Sequence, residues 1–185
     1  AADYRAWSDV LELSMPRSDY EKFRKIADNS LPEDYNTHSS HNDEYCWFSG
    51  LRIRKKNTYI LKSEDKLYYT HKHGIFININ PFDELKSNGF VEKIKYLLSR
   101  VIDVKIHNHL STKPLSLGIK GSIVGKLISG YSVPGLHRLR YRLLKNRHGG
   151  NFILLRNKSP NSARGIVKKS DIYPLKEIAI GEKKY

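Results

Sequence analysis

The chain is poor in sulfur, in long apolar runs and, after its first fifty residues, in acid. One cysteine in 185 residues excludes an internal disulfide framework. That suits a reducing compartment, so a cytoplasmic setting is expected, at a nucleoid or as an intracellular viral or plasmid product. Cys46 lies in the run Tyr45-Cys46-Trp47-Phe48, the setting of a buried core thiol rather than of a nucleophile. No apolar run reaches the length of about eighteen residues that a spanning helix needs, and no signal peptide is present, so no membrane partner is expected. Internal repeats and low-complexity tracts are also absent. The only methionine is Met15 and the chain opens Ala1-Ala2, so the sequence reads as a fragment of something longer.

What is present in excess is positive charge. The formal net charge is +14 and the pI is near 9.8. Residues 1–50 hold five Lys/Arg against ten Asp/Glu, and the other 135 hold twenty-eight against nine. A field of that sign predicts a polyanionic partner, and a phosphate backbone is the obvious one. An anionic membrane is the weaker alternative, because no Lys/Arg-rich helix with an apolar face is evident.

The hydrophobic pattern predicts an α+β domain, mainly helical, with a small antiparallel sheet. Ser18-Asp19 are placed to cap a helix from about Tyr20 to Asp28, with Tyr20, Phe23 and Ile26 on one face. Residues 29–42 read as a loop. Lys66–Thr70 and Ile75–Ile79 read as a hairpin around His71-Lys72-His73-Gly74, ended by Pro81. Phe90–Val101 is an amphipathic helix with Val91, Ile94, Leu97 and Leu98 in register, followed by a separate short run over Val104–His107. Ile119–Ile128 is weakly helical, and Leu136–Leu144 is a helix that follows Pro134 and stops at Gly149-Gly150. The basic tail is expected to form one or two short helices broken at Pro174.

Four local patterns carry possible chemistry. Arg52 follows a small residue on an apolar segment, where a guanidinium needs an anion or a carboxylate. Lys72 sits at the hairpin tip, able to hold a phosphate or to give a proton to a leaving oxygen. His137 and Arg140, at i and i+3, share a helix face from which Arg138 points away, and together they make a clamp for phosphoryl oxygens. Tyr173, one of twelve tyrosines, closes the series in a basic tail.

In this order the pieces resemble the tyrosine recombinase (phage integrase) family, over roughly Tyr20 to Tyr173. Ser49-Gly50-Leu51-Arg52-Ile53 is similar to that family's TGLRIS box, and Ile60-Leu61-Lys62-Ser63-Glu64-Asp65 to its L-x-L-K-x-x-D stretch. Thr70-His71-Lys72-His73-Gly74 resembles its T-x-K-T-G turn, His137-Arg138-Leu139-Arg140 its H-x-L-R box, and Leu154–Ser159 its L-L-G-H-x-S box. Tyr173 lies about thirty residues beyond Arg140, the distance the family commonly keeps. The chain departs from the pattern in two places. Arg54-Lys55-Lys56 replaces the acidic residue after the first box, so Arg52 and Arg54 compete for the first arginine role. Arg156-Asn157 replaces Gly-His, which leaves the sixth catalytic position open to Arg164. Alignment on that box puts the tyrosine slot near Ile166, and a local insertion is needed to bring it to Tyr173.

The resemblance implies a single catalytic domain over 1–185, with 174–185 as a segment exchanged between protomers and an N-terminal DNA-binding domain lying elsewhere. It implies site-specific cleavage and rejoining of double-stranded DNA by a tetramer, with no metal or other cofactor. Arg52, His137 and Arg140 would hold the scissile phosphate, Tyr173 would form a 3′-phosphotyrosyl link, and Lys72 would protonate the 5′-oxygen. Two other readings stand beside it. One is a non-catalytic, basic nucleic-acid-binding protein that uses its tyrosines for stacking. The other is a metal-dependent nuclease of the HUH type built on His38 and His41, His71 and His73, and His107 and His109, although few carboxylates lie near them to complete a hard-metal site.

Overall fold

One ten-residue strand organises the molecule. In the computed structural model, residues 11–60, 73–86, 89–116, 119–144, 150–154, 166–177, 179–180 and 183–184 are described. The central strand, β4 (Phe76–Leu85), pairs in parallel with β1 (Leu11–Pro16) and antiparallel with β3 (Leu51–Lys55), which pairs with β2 (Tyr35–His38). The far end of β4 pairs with β5 (Phe152–Leu154), and β5 pairs with β6 (Ile166–Lys168). A separate two-stranded ribbon joins β7 (Ala179–Ile180) to β8 (Lys183–Lys184). The helices are α1 (Arg17–Ser30), α2 (Phe90–Leu110), α3 (Ile119–Leu127) and α4 (Val133–Leu144). The class is therefore α+β, as expected, and the sheet is antiparallel except for the β1–β4 pair, but it has six strands where a small one was expected.

Pro81 does not end β4. It falls past the last rung with β3 (Leu51 opposite Ile79) and before the first with β5 (Leu154 opposite Asp83), and stands opposite Met15 in the parallel pairing with β1. The first strand of the expected hairpin, with Lys72 at its tip, lies outside the described residues. Gly50, which leads into β3, is required by close approach: a Cβ there would lie 2.5 Å from the carbonyl oxygen of Ile79.

The alternation of β3 sorts its side chains onto two faces. Leu51, with Ile79 of β4, packs against Tyr20 and Ala27 of α1, with Phe23 and Ile53 at the margin. Ile26 is 60% exposed and not part of that face, because the 3.6-residue turn brings position 27, and not 26, back over position 20. The helix begins at Arg17, so Ser18 and Asp19 stand inside its first turn and not at a cap. Residues 35–38, within the expected loop, supply β2.

α2 runs unbroken from Phe90 to Leu110 and absorbs the separate run expected at Val104–His107. Asp103 sits within it, and its carboxylate is taken up by Arg140 of α4. The core stripe of α2 is Ile102, Ile106 and Leu110, packed with Leu136 of α4 and the flank of Trp47. Val91, Ile94 and Leu97, expected on the core side, are exposed; in the N-terminal half of α2 it is Tyr96 that packs with Leu143 and Leu144 of α4. α4 starts at Val133, so Pro134 lies in its first turn, where an absent N–H costs nothing. The tail forms β6 and a single 3-10 turn over Lys169–Asp171 where helices were expected. Among the described residues, no helix is long and apolar enough to cross a membrane.

Candidate phosphate-binding cleft

A cleft of about 390 Å³ opens where the start of α1 meets α4. α1 contributes Arg17, Tyr20 and Glu21, the 39–50 segment contributes Ser40, His41 and Ser49, and α4 contributes Pro134, His137, Arg138, Arg140, Tyr141 and Arg142. Four arginines and one carboxylate therefore line it. Tyr20, His137 and Arg140 are all more than nine-tenths buried and form its deep side, while Arg138 and Arg142 are exposed at the rim.

Hydrogen bonds hold the buried pair rigidly. Arg140 donates to Asp103 Oδ1 at 2.6 Å and to His137 Nδ1 at 2.8 Å. A guanidinium only donates, so Nδ1 of His137 is unprotonated and its proton rests on Nε2. That proton is given to the carbonyl oxygen of Cys46 at 2.8 Å. Burial first, and the Arg140 charge second, push His137 down to about 4, so it is neutral near pH 7. Its job in this geometry is to tie Arg140 to the 46–48 segment, since both ring nitrogens are occupied. Arg17 is anchored in the same way: its guanidinium grips both oxygens of the buried Asp83 on β4 and lies 5.7 Å from the ring centre of Tyr141. Burial, with the charge of Arg24, lowers the pKa of His41, and burial raises that of Tyr20, whose hydroxyl stays protonated.

The expected site residues are distributed unevenly. His137 and Arg140 share one face and line the cleft, and Arg138, expected to point elsewhere, is exposed and lines the same cleft. Arg52 is 4% exposed and does not line the cleft. It donates to Asn78 Oδ1 at 3.0 Å and lies among the rings of Trp47, Phe48 and Phe76, so it touches the same 46–48 segment that His137 holds. Arg54, its competitor, is directed to His38 Nδ1 at 3.1 Å and the carbonyl oxygen of Gly74 at 3.1 Å, while His38 Nε2 reaches Asp43 at 2.8 Å. Tyr173 is not a lining residue. It follows the 3-10 turn, beside Lys169, whose ammonium bonds Glu84 at 2.6 Å. Glu84 leaves β4 on the opposite face from Asp83, the anchor of Arg17. Lys72 and Arg164 lie outside the described residues.

Of the expected metal-binding histidines, His38 serves Arg54 and Asp43, His107 bonds the carbonyl oxygen of Lys113 at 2.9 Å, and His71 lies outside the described residues. No group of three His, Cys, Asp or Glu side chains among the described residues is gathered to hold a metal ion. Sequence reasoning missed Arg17, Tyr20 and Glu21 and named His41 only as a metal ligand; all four come from the acidic part of the chain. The pairing of β4 with β1, which leads directly into α1, brings Arg17, Tyr20 and Glu21 to α4. Comparison of the chain with protein-family models, with curated proteins and with solved structures gave no match.

Proposed function

We propose that the protein binds nucleic acid and grips phosphate at the cleft between α1 and α4. The observation that carries this reading is the convergence of Arg17, Arg138, Arg140 and Arg142 on one cleft, two of them paired with Asp83 and Asp103 behind it and Glu21 the one carboxylate in its lining, in a chain of net charge +14. Buried guanidiniums fixed by Asp83 and Asp103 present planar donors without paying to order them on binding. Anisotropy titration of labelled oligonucleotides tests the reading. Affinity should fall steeply and linearly on a log–log plot against salt. A flat salt response contradicts it.

Cleavage and rejoining of DNA through a covalent tyrosine is the second reading. One observation favours it: His137 and Arg140, the box that resembles the recombinase family's phosphate clamp, face the cleft together. The position of Tyr173 adds no support. Trapping on a nicked duplex, followed by mass spectrometry of the adducted peptide, decides it. On this reading Tyr173→Phe loses the SDS-stable adduct and retains affinity. An adduct that survives the substitution assigns the attack to another residue.

A further inference from the structure

We infer that the cleft takes a phosphomonoester, the phosphorylated end of a strand, in preference to the diester of a strand that runs past. This rests on the nucleic-acid reading and goes further by naming the part of the polymer that enters. Size is the first support. At about 390 Å³ the cleft is at the small end of the ~300–1,000 Å³ common for small-molecule sites, with room for one nucleotide unit.

Depth is the second support. Tyr20, His137 and Arg140 are 3%, 8% and 5% exposed and line the inner side. A strand end can carry its phosphate to that depth alone, whereas a phosphate within a continuing strand must bring a nucleotide on either side with it. Charge is the third. A terminal phosphate carries about −1.5 to −2 near pH 7 against −1 for a diester, and the positive balance that Arg138 and Arg142 leave over Glu21, once Asp83 and Asp103 are set against Arg17 and Arg140, favours the larger charge. The Tyr20 hydroxyl, kept protonated by burial, and the side chains of Ser40 and Ser49 add donors suited to phosphate oxygens. Glu21 and the ring of Tyr141 lie in the same lining, an acceptor and an aromatic surface for the attached sugar and base.

The test compares one ten-nucleotide strand with a 5′-phosphate, a 3′-phosphate or hydroxyls at both ends, with a free nucleoside monophosphate as competitor. One phosphorylated form should bind at least tenfold tighter than the hydroxyl-ended strand, and which one does so identifies the end. The nucleoside monophosphate should compete for that increment. In Ser40→Trp, which fills the cleft without removing a charge, the preference should shrink to less than twofold. Equal binding of all three strands overturns the inference and leaves the nucleic-acid reading standing. A preference that survives Ser40→Trp places the end elsewhere and overturns the site. Failure of every strand to bind overturns both readings together.

Discussion

Arg140 donates a hydrogen bond to Nδ1 of His137, one helical turn before it on α4, at 2.8 Å. The contact fixes the tautomer of the imidazole and sends its only proton to Cys46. A side chain that suggests acid–base chemistry in the sequence is thus a neutral strut between an arginine and a backbone carbonyl.

The strut makes stability depend on pH. His137 has a folded pKa of about 4, below its unfolded value of about 6.5, so the unfolded chain binds more protons between those values. Stability contributed by the neutral ring is complete above pH 6.5 and lost as pH falls toward 4, by about 3 kcal/mol. His137→Gln keeps a donor and an acceptor without a titrating group. Urea midpoints measured from pH 7 to pH 4 should fall less steeply in this variant than in the parent. Equal slopes would remove His137 as the cause.

His41 gives a pH dependence to binding. Its pKa is lowered in the free protein by burial and by Arg24. A phosphate in the cleft favours the charged ring, so binding takes up a proton and affinity strengthens as pH falls through the ordinary histidine range. His41→Asn should flatten that part of the affinity profile, read by anisotropy at fixed ionic strength.

Arg138 and Arg142 are exposed at the rim, so truncating them tests charge without disturbing the core. Arg138→Ala and Arg142→Ala should each weaken oligonucleotide binding evenly across sequences and lower the salt slope by about 1. Their urea midpoints should match that of the parent.

Arg54 has the opposite profile. It is 1% exposed and bonded to His38 and Gly74, so Arg54→Met leaves buried acceptors without a donor and costs about 3 kcal/mol or more. Arg54→Lys keeps the charge but not the fork, and recovers only part of that loss in denaturant unfolding.

Cys46 is 0% exposed, and burial pushes its thiol up to about 12. A thiol-specific reagent should leave the native protein unmodified and label it fully in denaturant. Rapid labelling under native conditions would contradict the placement of the 46–48 segment under α4.

Local pattern alone determined several features: the basic character, the buried thiol, the helices around Tyr20 and Leu136, and the shared face of His137 and Arg140. Each depends on residues within a turn or two of one another, where spacing dictates geometry. Tertiary structure decided the rest. Val91, Ile94 and Leu97 have helical spacing, but whether a stripe is covered depends on what packs against α2. Arg52 and Arg54 look alike in the sequence, yet strand pairing gives one an aromatic box and the other a histidine and a carbonyl. Arg17 and Glu21 join the cleft because β1 runs parallel to β4 and delivers α1 beside α4. Pairings between distant segments are set by the packing of the whole sheet, and no short window of sequence contains them.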